Sequence, residues 1–82
     1  MPWYDFVWNS EAGGNAAHIA EHGISVEDAE KIVCNPLVTG FSRATGRPLA
    51  TGITVDGRLV VVVYEFIDPV TVYVITAFEV DA

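Results

Sequence analysis

The chain contains 82 residues, of which 51% are hydrophobic, and its net charge is −7 at pH 7. A chain of this length predicts a single domain over residues 1–82, and its acidic balance has the wrong sign for attraction to RNA or DNA. No apolar run approaches the roughly 20 residues needed to cross a bilayer, and the first residues lack the basic region of a signal peptide. We therefore expect a cytoplasmic protein without membrane contact.

The N-terminal part of the chain predicts one strand and one short helix. The segment from Trp3 to Trp8 is rich in aromatic residues, which favours an opening strand whose rings lie in the core. The first helix is expected between Ser10 and His22. Because Gly13 and Gly14 each disfavour a helix by about 1 kcal/mol relative to Ala, its first turn is expected near Asn15.

A tight junction between two helices is the most informative local feature of the sequence. Gly23 suits the left-handed residue that ends a helix, and the Ser25 hydroxyl can accept hydrogen bonds from the first amides of the next helix. The second helix is predicted from Val26 to Asn35, where Pro36 stops it. The junction therefore predicts two short helices that meet at a sharp corner.

The remaining chain predicts four strands. The Asp56-Gly57 pair predicts a type I′ hairpin turn, which needs two residues with positive φ. The strand after it is apolar on both faces, as expected for a central strand covered on each side. The order β-α-α-β-β-β-β predicts an α+β domain in which two N-terminal helices pack on an antiparallel sheet. The predicted strands are Leu37 to Ser42, Leu49 to Val55, Leu59 to Tyr64 and Val70 to Val80.

Segments spread over nearly the whole chain resemble the BrnT-like toxins of the RelE superfamily, which are small bacterial ribonucleases neutralised by a partner antitoxin. The resemblance implies a RelE/BrnT-like fold, an endoribonuclease activity and an antitoxin protein as partner. The matching segments are Phe6-Val7-Trp8, Glu21 to Ala29, Asn35-Pro36, Gly46 to Gly52, Asp56 to Tyr64 and Val74 to Ala77.

The departures from the family pattern all remove positive charge. Glu21 and Phe78 stand where the family usually has Lys and Arg, and the region of Ala12 to Gly14 lacks another expected cation. The family also commonly continues into a basic C-terminal helix after the last strand. Within the superfamily the chain looks closest to an acidic branch, and most of the cations expected to contact RNA are missing.

Two histidines and two arginines are the candidate catalytic residues. His18 and His22 are four residues apart and share one side of the first helix. Cleavage through the ribose 2′-hydroxyl needs a general base, a general acid and a cation, which His18, His22, Arg43 and Arg47 can supply without a metal or cofactor. The alternative is that His22 caps helix carbonyls and His18 is a surface residue. The pair also fits the His-x-x-Glu-His pattern of zinc peptidases, but those enzymes are several times longer.

The segment from Ser42 to Pro48 has the composition of an anion-binding loop. Ser42, Arg43, Thr45 and Arg47 offer two hydroxyls and two guanidinium groups for RNA or another anion. The alternative is a solvated hairpin loop in which Arg47 pairs with a neighbouring acid.

The adjacent residues Tyr64 and Glu65 are further candidates. They face opposite sides of a strand. We expect Tyr64 in the core or lining the anion site, and Glu65 on the surface or acting as an alternative general base.

Two functions remain open from the sequence. The first is a BrnT-like ribonuclease held inactive by an antitoxin. The second is a catalytically inactive protein-binding or regulatory module on the same scaffold, with helix one or an exposed last strand as its partner surface. The apolar segment Val70 to Val80 also predicts edge-to-edge homodimerisation, which Glu79 and Asp81 would oppose.

Overall fold

A computed structural model describes residues 4–80 of the chain. It confirms the predicted element order and the α+β class. No helix within residues 4–80 has the length and apolar character needed to cross a membrane. Trp3 and Asp81 lie outside the described residues. The elements are β1 (Asp5–Val7), α1 (Asn15–Glu21), α2 (Val26–Cys34), β2 (Val38–Phe41), β3 (Pro48–Ile53), β4 (Leu59–Asp68) and β5 (Thr71–Glu79).

The five strands form one sheet in the order β1-β5-β4-β3-β2. Three neighbouring pairs are antiparallel, namely β2–β3, β3–β4 and β4–β5. β1 pairs with β5 in parallel. The prediction of a wholly antiparallel sheet is therefore wrong. The helices carry the chain from β1 to the far edge of the sheet, and three hairpin connections then bring β5 back beside β1.

The helix junction forms as predicted. Gly23 has φ +77°, and its amide donates to the Ala20 carbonyl at 2.9 Å, which closes α1. The Ser25 hydroxyl accepts a hydrogen bond from the Asp28 amide at 3.1 Å and caps α2. Helix α1 begins at Asn15, as the glycines before it predicted.

A buried asparagine ties α1 to the sheet. The Asn15 Nδ2 group donates to the carbonyls of Val7 at 2.9 Å and Val74 at 3.0 Å, and its Oδ1 accepts from the Asn9 amide at 2.7 Å. One step further along, His18 Nε2 lies 2.9 Å from Thr76 Oγ1. β1 pairs with β5 from Thr71 to Tyr73, and α1 continues beside Val74 and Thr76. The predicted exposure of the last strand is therefore wrong from Thr71 to Thr76, whereas its use as a partner or dimer surface stays a prediction.

Both helices contribute to one buried cluster on a single face of the sheet. On β4, Val60, Val62 and Tyr64 are buried, whereas Val61 and Val63 on the other face are only partly buried. The prediction that this strand is covered on each side is therefore wrong within residues 4–80. The fully buried side chains of largest volume are Ile19, Ile24, Val60, Val62, Val72 and Val74.

The turn between β3 and β4 also differs from its prediction. Gly57 has φ +87°, but no residue other than glycine has a positive φ within residues 4–80, so Asp56 does not adopt the type I′ conformation. The Thr54 amide donates to the Arg58 carbonyl at 2.9 Å, and the Gly57 amide donates to the Thr54 carbonyl at 3.0 Å. Three residues therefore close the hairpin, and the Asp56 carboxylate accepts hydrogen bonds from the side chains of Thr54 and Arg58 on either side of the turn.

Candidate functional site

The predicted anion-binding loop is a closed turn between β2 and β3. The Ser42 amide donates to the Arg47 carbonyl at 2.7 Å, and the Gly46 amide donates to the Ser42 carbonyl at 2.8 Å. The Thr45 hydroxyl accepts a hydrogen bond from the Arg47 amide at 3.3 Å. Gly46 allows this turn through its φ of +73°. The amides of Gly46 and Arg47 are thus occupied within the loop and do not form a cradle for an anion.

The two arginines of the loop have different surroundings. Arg47 Nε lies 3.3 Å from Glu65 Oε2, which is the pairing that the alternative interpretation of the loop predicted. Both side chains are more than a third exposed, and such pairs contribute about 0–1 kcal/mol. The exposed Arg43 side chain has no ion pair or hydrogen bond to any residue between 4 and 80. Arg43 is therefore available to a ligand, and Arg47 is held only weakly.

An aromatic pocket of about 650 Å³ adjoins this loop on the helix-covered face of the sheet. Tyr64 is buried in its wall and Glu65 is exposed, as the sequence predicted. The rings of Tyr4 and Phe66 are 5.3 Å apart, and those of Tyr64 and Phe66 are 5.6 Å apart, both edge to face. The residues that line the aromatic pocket are Tyr4, Thr39, Gly40, Phe41, Pro48, Leu49, Tyr64 and Phe66.

Tyr64 is a neutral phenol at physiological pH, and burial extends its neutral range to higher pH. Desolvation raises the pKa of its hydroxyl above the ordinary value of 10.0, and the nearby Tyr4 adds to the shift. A neutral phenol can donate one hydrogen bond but cannot act as a cation against phosphate. The chemistry of the pocket is therefore aromatic and apolar, with phenol hydroxyls as its polar groups.

The histidine pair lies on α1, away from this pocket. The rings of His18 and His22 are 5.1 Å apart and inclined at 65°, and both residues are exposed. His18 Nε2 is hydrogen-bonded to the Thr76 hydroxyl, while the His22 amide donates to the Ile19 carbonyl at 3.0 Å. The structure thus brings the two histidines together, as their spacing predicted.

The structure does not join the histidine pair to the arginine loop. Thr76, the partner of His18, pairs with Val63 on β4, and Val63 pairs with Leu49 on β3. Arg47 lies two residues before Leu49, so the Cα atoms of Thr76 and Arg47 are roughly 12 Å apart at ordinary strand spacings, with His18 beyond Thr76. No hydrogen bond or ion pair within residues 4–80 links either histidine to Arg43 or Arg47.

The outer edge of the sheet, from Leu37 to Phe41, is the most exposed apolar segment near the pocket, and we call it the β2 edge. Leu37, Val38 and Phe41 are 68%, 63% and 73% exposed. The segment contains no charged residue and no proline, which are the residues that commonly protect an edge strand from pairing. This surface was not predicted from the sequence, because the free edge was expected at the last strand.

Charge is distributed unevenly between this edge and the rest of the protein. Residues 31–55 include Lys31, Arg43 and Arg47 and no acid, whereas the other residues hold eleven acids and only Arg58. These 25 residues form the end of α2, β2 and β3, so three of the four cations lie toward one edge of the sheet, where Glu65 of β4 offsets the charge of Arg47. The acid-free stretch is visible in the sequence and was the signal that could have indicated this side.

Arg58 serves the fold. Its Nη2 donates to the Gly23 carbonyl at 2.7 Å, its Nε donates to the Asp56 carboxylate at 3.0 Å, and its Nη1 lies 3.7 Å from Glu79 Oε1. These contacts join the helix junction to the ends of β4 and β5. The pKa of Asp56 is lowered, first by the Thr54 hydroxyl and then by Arg58.

Neither metal coordination nor known proteins identify the site. Within residues 4–80 no group of three or more His, Cys, Asp or Glu side chains is placed to hold a metal ion. No family model matches the chain, and comparisons with curated proteins and with solved structures gave no match.

Proposed function

We propose that this chain is a protein-binding module on a scaffold similar to that of BrnT-like toxins, and that it contacts its partner through the β2 edge. The carrying observation is the exposure of Leu37, Val38 and Phe41 on an edge strand without charge or proline. An apolar edge strand without charge or proline, here of four residues, offers both main-chain hydrogen bonds and hydrophobic contact to another chain. This proposal follows the protein-binding alternative that the sequence left open.

Ribonuclease activity is the competing function, and the geometry supports it less well. A base, an acid and a cation must surround one ribose phosphate for concerted cleavage. The histidine pair stands beside β5, whereas Arg43 and Arg47 stand at the hairpin two strands away. The Arg47–Glu65 pair is too weak to bear on this comparison, and within residues 4–80 no hydrogen bond or ion pair connects the histidines with the two arginines.

The partner that the resemblance implies is an antitoxin. Such a protein is compatible with a binding module, because a toxin scaffold that loses its nuclease can keep the surface that its inhibitor recognised. The adjacent reading frame is a direct check. A small ribbon-helix-helix protein encoded there supports an antitoxin as the partner.

Two measurements test the proposal. In the first, micromolar protein is incubated with total RNA beside the His18→Ala and Arg47→Ala variants, and we expect intact RNA in all three samples. In the second, a photo-crosslinking residue replaces Val38 at the β2 edge or, as a control, the exposed Val70 at the β4–β5 turn, in cells of the source organism. We expect one protein, identified by mass spectrometry, to be crosslinked from position 38 and not from position 70.

The outcomes separate the two functions. RNA cleavage that disappears in either variant would replace the binding module by the ribonuclease. Absence of a crosslinked protein at both positions, with RNA intact, would also overturn the proposal.

A further inference from the structure

We infer that the partner segment is an extended, acidic peptide that adds to the sheet as a sixth strand along the β2 edge and places one apolar side chain in the aromatic pocket. This inference rests on the proposed function, because it names the chemistry of the partner. It follows from the hydrogen-bond phase of β2, from the position of the pocket and from the charges at both ends of the edge.

The phase of the β2–β3 ladder shows which backbone groups face outward. The Ser42 amide bonds the Arg47 carbonyl at 2.7 Å, and the register pairs Gly40 with Leu49. Residues of one strand alternate between facing the partner strand and facing away, so Gly40 shares the inward phase of Ser42. The amides and carbonyls of Thr39 and Phe41 therefore point away from β3, and they can pair with an added strand.

The aromatic pocket lies on one side of the same edge. Thr39 and Phe41 line the pocket, so their side chains lie on the helix-covered face. Side chains of an added strand alternate between the two faces, and every second one comes next to Phe41 on the pocket side. Strand addition of this kind takes affinity from main-chain hydrogen bonds and specificity from pockets for alternate side chains. A large apolar residue suits this pocket because aromatic rings dominate its wall.

Cations stand at both ends of the edge. Arg43 lies two residues after Phe41, the last residue of β2, and Lys31 shares a cleft of about 380 Å³ with Gly52 and Ile53, at the end of β3 beside the start of β2. No acid occurs in residues 31–55. A strand with acidic residues at its ends would pair with both cations, and rim charges of this kind chiefly increase the association rate and select the partner.

The charge distribution also favours an acidic peptide at the β2 edge over a second copy of this chain and over a nucleic acid. Pairing β2 with β2 of another copy would bring two acid-free, positively charged edges together, and like charges across an interface oppose association. RNA would meet three cations on a protein whose other residues hold eleven acids and one cation. An acidic peptide can form ion pairs with the cations, while its backbone forms hydrogen bonds with the outward amides and carbonyls of β2.

Random dodecapeptides displayed on phage provide a test that needs no known partner. They are selected against the full chain, with counter-selection against the Arg43→Glu/Lys31→Glu double variant, in which only exposed residues change. We expect enriched peptides to exceed the input library in Asp and Glu and to contain an apolar residue at a fixed position. Synthetic versions should bind the double variant and Phe41→Glu at least tenfold more weakly than the unchanged chain. Glu11→Lys, on the exposed loop before α1, is the charge-changing control and should bind normally.

Amide shifts in NMR spectra of the labelled protein locate the bound peptide. We expect the largest changes from Leu37 to Arg43, and circular dichroism confirms that each variant is folded. Absence of enrichment, enrichment of basic peptides, or shifts confined to another surface would overturn the inference. So would a β2-mediated dimer in sedimentation that Phe41→Glu dissolves, since it would assign the edge to a second copy. The crosslink from position 38 tests the proposed function separately, so a crosslinked partner without enrichment of acidic peptides would overturn this inference alone.

Discussion

Arg58 and Arg43 are both cations of an acidic chain, but one is engaged in the fold and the other is not. Arg58 bonds the Gly23 carbonyl and the Asp56 carboxylate, and it lies beside Glu79. Arg43 stands exposed at the end of the β2 edge without an ion pair within residues 4–80. Arg58 thus holds the helix junction against the sheet, whereas Arg43 beside the β2 edge has no ion pair among residues 4–80. The region that carries much of the resemblance to BrnT-like toxins is structural, and the region that the sequence analysis missed is the better functional candidate.

The largest expected effect contrasts the core below α1 with the β2 edge. Ile19 is fully buried, and Ile19→Ala should lower the free energy of unfolding by about 2–5 kcal/mol. Phe41→Ala removes a larger side chain but one that is 73% exposed, so we expect a change within about 0.5 kcal/mol. Urea denaturation at pH 7 measures both. A loss above 1 kcal/mol in Phe41→Ala would show that the edge supports the fold and would remove the contrast.

The next effect concerns the glycine at the helix junction. Gly23 has φ +77°, and an added Cβ would come within 3.3 Å of Arg58 Nη1, so Gly23→Ala should destabilise the fold by about 1–2 kcal/mol. Gly46 has a similar φ of +73° but no atom within 4 Å of such a Cβ. Gly46→Ala therefore carries the backbone strain alone and should cost less. Equal urea midpoints for the two variants would mean that crowding against Arg58 is unimportant.

A pair of arginine variants sharpens the contrast directly. Arg58→Gln removes the contacts that join the helix junction to β4 and β5, so we expect a lower melting temperature and normal peptide binding at the β2 edge. Arg43→Gln should leave the melting temperature unchanged and weaken the binding of acidic peptides. Thermal unfolding gives the melting temperature of each variant, and peptide titration gives its affinity for acidic peptides. A reversed pattern, in which Arg43→Gln melts earlier and Arg58→Gln binds less, would contradict the assignment of the two regions.

The smallest effect is on the pH limits of stability. Hydrogen bonds from Thr54 and Arg58 lower the pKa of Asp56 from 3.8, so its stabilisation is complete above about pH 3.8 and is lost as pH falls through the folded-state pKa. Burial raises the pKa of Tyr64 above 10.0, so its contribution is complete below pH 10 and is lost as pH rises through the folded-state pKa. Asp56→Asn should flatten the acid side of the stability profile, and Tyr64→Phe the alkaline side. Urea midpoints between pH 2.5 and 11 test whether each variant alters only its own side.

Much of the candidate chemistry was visible in the sequence as residue types, but not its assembly. The spacing of His18 and His22 predicted their contact, because four residues make one helical turn. Nothing local indicated that the pair would lie beside β5 while Arg43 and Arg47 lie at the hairpin between β2 and β3. That separation depends on strand order, which is set by pairing between segments far apart in the chain.

The order of the elements and the boundaries around the helix junction follow from local physical chemistry, whereas β4 extends to Asp68, four residues beyond its predicted end at Tyr64. Gly23 can adopt positive φ at low cost, Ser25 can cap α2, and the glycines before Asn15 delay the start of α1. These preferences act within a few residues, so the sequence by itself determined the order β-α-α-β-β-β-β. Only the tertiary structure decided that β1 joins β5 in parallel, that one face of the sheet stays partly open and that β2 becomes the free edge. Each of these depends on which distant segments bury their apolar faces together, and that choice belongs to the whole chain.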